Sequence, residues 1–198
     1  MKQLFENWRR FISEEVASFA RGDTHGNFIN DNPEATIEAF QRLGADEKVL
    51  SIISKYIEND FPHQDLNQIV AVLAGAKPMW YGAMASLTDW KEPDMDCYDN
   101  LPRSSEPTPV LQENVCPPID IGKFILENLH KTGLSYEPVP VDQVVFGKPE
   151  NVTSAAQEAN RIGNPENADI QFHKVMGRAL GYPEEDIEKF ISDPRAQK

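Results

Sequence analysis

The sequence predicts a mainly all-α protein: a helical bundle, a long proline-rich arm and a small C-terminal αα-hairpin, with at most one or two short strands. Three observations carry that expectation. Apolar residues recur at spacings of three and four along most of the chain. Helix stop and start signals separate these periodic segments by short connections, which favours antiparallel neighbours. A single segment reads well as a strand, and a lone strand does not require a sheet.

The elements follow in order. Residues 2–20 place Leu4, Phe5, Trp8, Phe11, Ile12, Val16 and Phe19 on one stripe, a helix expected to pack on the body of the protein. Asn32-Pro33-Glu34 is a start signal, with Asn as N-cap, Pro at the first helical position and an acid in the first turn. Ile37, Phe40 and Leu43 supply its apolar face and Gly44 stops it. Asp46-Glu47-Lys48 opens the next helix, carrying Val49, Leu50, Ile52, Ile53, Tyr56 and Ile57. Residues 64–74 continue with Leu66, Ile69, Val70, Val72 and Leu73. Pro78 then opens a further helix with Met79, Trp80, Tyr81, Met84 and Leu87. Together these define an expected bundle over residues 1–90.

Pro93, Pro102, Pro107, Pro109, Pro117 and Pro118 follow, too dense for a helix or a central strand, so 91–118 reads as an arm or linker. Residues 119–198 form the expected smaller helical part. Ile121, Phe124, Ile125, Leu126 and Leu129 mark a helix ended by Gly133. Pro140 to Phe146 is the strand candidate. Ile170, Phe172, Val175, Met176 and Leu180 mark a helix broken at Gly181-Tyr182-Pro183, and a second runs from Glu184 to Ile191.

The 198 residues, 40% of them hydrophobic, suffice for one domain or two small ones with a genuine core. The 32 acids against 19 bases, a net charge of −13, repel nucleic-acid phosphates, so no direct nucleic-acid partner is expected. No apolar run reaches the roughly 18 residues that a membrane-spanning helix needs. The N-terminus lacks the uninterrupted apolar stretch of a secretory signal. A reducing compartment follows, and with it two free thiols at Cys97 and Cys116.

Neither a Gly-x-Ser-x-Gly elbow nor a Gly-x-x-x-x-Gly-Lys-[Ser/Thr] loop occurs. Gly22-Asp23-Thr24-His25-Gly26-Asn27 resembles the first metal block of the calcineurin-like metallophosphoesterases, which implies Asp23 and His25 as ligands. That block follows a buried strand, whereas residues 14–21 read as helix, and the family's later blocks are absent. The string is therefore read as a polar turn. His63 with Asp65, and Asp94 and Asp96 with Cys97, lack the paired spacing of a metal site, and 94–99 reads as a solvated acidic loop. His173, beside Phe172 and Met176, reads as a partly buried helix residue. No catalytic, cofactor-binding or metal-ligating residue is assigned, and no cofactor is expected.

The opening Met1-Lys2-Gln3-Leu4-Phe5-Glu6-Asn7-Trp8-Arg9-Arg10-Phe11-Ile12 looks like the start of proteins of large tailed marine bacteriophages. It also resembles the capsid-targeting peptides of contractile-tailed phages, which a prohead protease removes after a Leu/Ile-x-Glu tripeptide. Ile12-Ser13-Glu14 stands at the matching place, and Leu111-Gln112-Glu113 and Ile125-Leu126-Glu127 repeat the pattern. The resemblance covers about the first tenth of the chain. It implies a non-enzymatic phage protein of the host cytoplasm or the virion, acting through a phage or host protein partner. Two alternatives stand beside it. One is a small hydrolase-like enzyme with a site near His25, His63 and the proline-rich arm; the other is an acidic inhibitor of a nucleic-acid-binding host enzyme.

Overall fold

The structure, a computed structural model, describes residues 27–58, 64–94, 97 and 116–192. The expected helix over 2–20, the Asp23/His25 turn and His63 lie outside these residues.

Several helices form where the sequence places them. Helices α1 (Phe28–Asp31), α2 (Pro33–Leu43), α3 (Glu47–Glu58) and α4 (Gln64–Leu73) come first, with short turns between α1 and α2 and between α2 and α3. Gly44 ends α2 at φ 85°, where its N–H reaches the Gln41 carbonyl and Ala45 N–H the Phe40 carbonyl. A side chain there would need a left-handed backbone that L-residues resist. Asp46 caps α3 by accepting from Val49 N–H at 2.9 Å. Basic groups satisfy exposed helix ends: Arg42 donates to the Leu73 carbonyl at 2.9 Å, and Lys131 to the Leu43 carbonyl at 3.0 Å.

The all-α expectation is wrong. Of the described residues 63% are helical and 14% lie in strands. Met79–Ala83, expected as part of a helix after Pro78, is strand β1; helix α5 starts after it and spans Met84–Thr88. The reason is two-sided burial. Met79, Trp80 and Tyr81 are all buried, and a strand covered on both faces shows no alternation to distinguish it from a helix. Strands β2 (Lys91–Glu92) and β3 (Ile119–Asp120) form a short antiparallel pair. Helix α6 (Ile121–Asn128), capped by Asp120 on Lys123 N–H at 2.8 Å, runs into a 3₁₀ turn at Leu129–Lys131. The strand candidate becomes β5 (Gln143–Gly147), and it does not stand alone. It pairs antiparallel with β1 on one edge and with β4 (Ser135–Val139) on the other, in the order β1-β5-β4. Strand β4 escapes sequence reading because Tyr136, Glu137 and Pro138 are exposed, and Pro138 is tolerated there because β4 is an edge strand.

This sheet takes β1 from before the proline-rich segment and β4 and β5 from after it. It separates two cores. Trp80, Val144 and Phe146 face a core filled by α1 to α6, including Phe40, Leu43, Ile53, Ile69 and Ile125. Met79, Tyr81, Val139 and Val145 face a second core with Val152, Ala155, Ala156 and Ala159 of α7 (Pro149–Ile162) and Phe172 and Met176 of α8 (Ile170–Ala179). The sequence reading leaves α7 unassigned because alanine carries most of its stripe. Helix α9 (Glu184–Ser192) folds back on α8, where Gly177 leaves room for Ile187: a Cβ there would lie 2.8 Å from Ile187 Cγ1.

Close backbone approaches fix the sheet and its flanking helices. A Cβ on Gly147 would lie 2.5 Å from the Pro78 carbonyl oxygen, and one on Gly122 would lie 1.8 Å from that of Leu87. The indole of Trp80 lies over Gly82, within 2.3 Å of where a Cβ would stand. Among the described residues no helix is long and apolar enough to cross a membrane.

The β4–β5 turn puts Val141 at φ 66° and Asp142 at φ 53°. A β-branched residue in this region is strained, and Val141 gains little in return, being 46% exposed. The turn is held in place because the Asp142 carbonyl accepts from Met84 N–H, at 2.8 Å, at the start of α5. Val141→Asn, which tolerates the left-handed backbone, should add about 1 kcal/mol and raise the midpoint of thermal unfolding by roughly 2–4 °C. An unchanged or lower midpoint by circular dichroism would contradict this account of the turn.

His173 of α8 lies between Phe172, with ring centroids 5.7 Å apart, and Phe190 of α9, at 5.0 Å. Burial lowers its pKa, with the Asp169 carboxylate opposing. The fold therefore favours the neutral ring. Its contribution is complete above the unfolded value of about 6.5 and is lost as the pH falls from there through the folded value. Between pH 7 and 5 the native chain should lose more stability than His173→Gln, measured as urea midpoints; parallel curves would refute the sign.

Candidate functional site

A set of side-chain hydrogen bonds between residues 34 to 46 apart in sequence gathers where the two ends of the proline-rich segment meet. Helix α3 presents Val49, Ile52, Ile53 and Tyr56 as its buried stripe, and Tyr56 brings a phenol to the margin of the first core. Trp90 follows α5 and is also buried. Its ring meets Phe40 edge-on at 6.1 Å and Tyr56 at 6.0 Å. Its indole N–H donates to the Tyr56 hydroxyl at 3.0 Å, and the Tyr56 hydroxyl donates to Glu92 Oε1 on β2. Such a chain polarises each bond along it. Burial first, and then the Glu92 carboxylate, push the Tyr56 pKa well above its ordinary value, so the phenol keeps its proton and remains a donor.

Asp94 continues the path outward. Lys48, in the first turn of α3, pairs with its Oδ2, and Cys97 N–H donates to its Oδ1 at 3.1 Å. The Lys48 hydrogen bond, with help from the Cys97 amide, holds the Asp94 carboxyl below its usual range. Asp94 is only 7% exposed, so the reading of 94–99 as a solvated acidic loop is corrected at this residue.

Cys97 and Cys116 form a disulfide, with Cα atoms 5.7 Å apart. The expectation of two free thiols is thereby overturned. It rested on compartment, whereas local geometry decides the pairing. The β2–β3 ladder sets Lys91 opposite Asp120 and Glu92 opposite Ile119, the Trp90 carbonyl accepts from Gly122 N–H at 3.1 Å, and the Asp94 carboxylate holds the Cys97 amide. The segment leaves and returns at one place. Closing a loop of this length in the unfolded chain removes roughly 3 kcal/mol of entropy in the chain-entropy account.

The other residues singled out in the sequence do not converge on this clamp. Asp65, on α4, accepts from the Ser86 hydroxyl of α5 at 2.8 Å. His130 is exposed on the 3₁₀ turn, with Nδ1 3.1 Å from the Glu127 carbonyl. His173 belongs to the α8–α9 interface. Asp96 lies outside the described residues. Among the described residues no three His, Cys, Asp or Glu side chains gather as a metal-holding group. Lys48, Tyr56, Trp90 and Glu92 were not read from the sequence as site residues. The signal that pointed here was the two cysteines flanking the prolines.

No protein-family model matches the chain, no curated protein is detectably similar to it, and no solved structure matches its fold.

Replacing the Tyr56 hydroxyl tests the clamp. Tyr56→Phe leaves the ring packing but deprives the Trp90 indole and the Glu92 carboxylate of their shared partner. The expected cost is about 1–3 kcal/mol in urea unfolding. Glu92→Gln, which can still accept from the phenol, should cost less. Equal losses in the two variants would show that the hydroxyl is not the centre of the chain.

Proposed function

We propose that this is a non-enzymatic bacteriophage protein that acts through protein–protein contact and is carried in or on the virion. The clamp is the observation that carries the contact reading. Two helices and a short ladder, a disulfide and the Lys48–Asp94 pair are spent on fixing the ends of one segment. By sequence that segment holds Pro102, Pro107 and Pro109 between the cysteines. Proline-rich stretches are recurrent ligands of protein grooves because little entropy remains for binding to remove. Tying the ends together lowers that cost further. The phage setting is supported by the likeness of residues 1–12 to the starts of large tailed-phage proteins, with Ile12-Ser13-Glu14 at the position of prohead cleavage. The net charge of −13 favours a protein partner over nucleic acid.

The test has two arms. Mass spectrometry of purified virions should find the chain at stoichiometric amounts, starting at Glu15 if residues 1–14 are removed. Chemical cross-linking within those virions should join it to one structural protein, and a variant with Pro102, Pro107 and Pro109 replaced by alanine should lose most of that product. Absence from virions would sink the phage reading, and a cross-link indifferent to the prolines would sink the contact reading.

A further inference from the structure

We infer that the Cys97–Cys116 disulfide is a redox-operated latch on the clamp, opened by a dithiol through exchange at the Cys97 sulfur, and that opening it releases residues 91–94 and 116–120 while the β1-β5-β4 sheet stays paired.

The two sulfurs are not equivalent. Cys116 is fully buried, whereas Cys97 is partly exposed. Access decides which sulfur an attacking thiolate reaches, so the Cys97 sulfur is attacked and Cys116 leaves. The thiolate of the dithiol bonds to Cys97 Sγ, the Cys97–Cys116 bond breaks, and the Cys116 sulfur departs with the electron pair and takes up a proton. The second thiol of the reductant then attacks its own sulfur in the mixed disulfide, and Cys97 is released and protonated. The protein gains two electrons and two protons, and the dithiol ends as its cyclic disulfide.

The consequence stays local because the structure is unequally tied. Next to the latch stands a ladder of two residue pairs, Lys91–Asp120 and Glu92–Ile119. The Lys48–Asp94 pair beyond it is 45% exposed on the lysine side and 10% on the aspartate side, so water competes for it from the lysine end. By contrast, β5 pairs along its whole length with β1 and β4 and is buried on both faces. Loss of the cross-link therefore acts where protection is least. The inference bears on the proposed function in one respect, and there it rests on that reading: a chain made in a reducing host cytoplasm and carried out in a virion would meet both conditions, open before release and closed after it.

The experiment uses the full-length, air-oxidised chain. Thiol titration under native conditions should find fewer than one reactive thiol per two cysteines. Dithiothreitol should then raise amide hydrogen exchange at least tenfold in peptides covering 90–97 and 116–122, with exchange in 79–83 and 143–147 unchanged. A brief pulse of glutathione, quenched in acid, should leave its adduct on Cys97. The double variant Cys97→Ser/Cys116→Ser should match the reduced chain, and the dithiothreitol titration of the native protein stands if that variant fails to fold. The inference is overturned if the native chain shows two free thiols, if reduction changes nothing at 90–97, if β1 and β5 lose protection equally, or if the adduct forms on Cys116. A chain missing from virions would defeat the functional reading and leave each of these measurements as it was.

Discussion

Strand β5 has a strand on each edge and a helical layer on each face, so none of its peptide groups has water to turn to. Val144, Val145 and Phe146 are completely buried, each worth roughly 1.5–3 kcal/mol against an exposed position. That is a large share of a typical margin of about 5–15 kcal/mol. The backbone bonds that make this burial affordable come from β1 and β4, which lie on opposite sides of the proline-rich segment in sequence. Everything else is arranged around that constraint. Gly147 lets β5 run against Pro78, Gly82 makes room for the Trp80 ring over β1, and Gly122 brings α6 against α5. The first core cannot form without residues from both parts of the chain, since Ile121, Ile125, Val144 and Phe146 complete it.

The contrast with the clamp is one of depth. Between the sheet and its helices the interactions are apolar and extensive. At the clamp they are a relay of single polar bonds from Trp90 through Tyr56 to Glu92, with Asp94 holding Lys48 on one oxygen and the Cys97 amide on the other. A buried donor left without its partner is costly, so the relay fixes one arrangement of the base without adding much to total stability. That is the property wanted of a support: it sets geometry and leaves the energy of folding to the cores.

Much of the helical structure was legible in the sequence. Asp46 before Glu47, Gly44 after Leu43, and Gly181-Tyr182-Pro183 between α8 and α9 are local chemical signals, and the chain obeys them. What was not legible depends on partners distant in sequence. Met79-Trp80-Tyr81 reads equally well as helix or strand until the second face is known to be covered. Ser135-Tyr136-Glu137-Pro138-Val139 carries no strand pattern because an exposed edge imposes none. Helix α7 was missed for the opposite reason: Ala155, Ala156 and Ala159 pack closely on the sheet while contributing little hydrophobic contrast. The clamp joins Tyr56 to Trp90 and Glu92, separated by 34 and 36 residues, and no spacing rule spans that gap. Cys97 and Cys116 pair because the fold brings their sulfurs together, a proximity that neither their spacing nor the N-terminal sequence encodes.

The 5.7 Å between the Cα atoms of Cys97 and Cys116 also bears on how this protein can change over time. Whatever lies between the cysteines, the described framework meets it at two ends that the disulfide holds together. Each doubling of its length adds only about 0.6 kcal/mol of closure entropy, well within the tolerance of a domain with two cores. A change of length between the cysteines leaves those two ends together, while almost any insertion within β1 or β5 would shift a register buried on both sides. Selection on length therefore bears harder on β1 and β5, whose register orders two cores at once, than on the distance along the chain from one cysteine to the other.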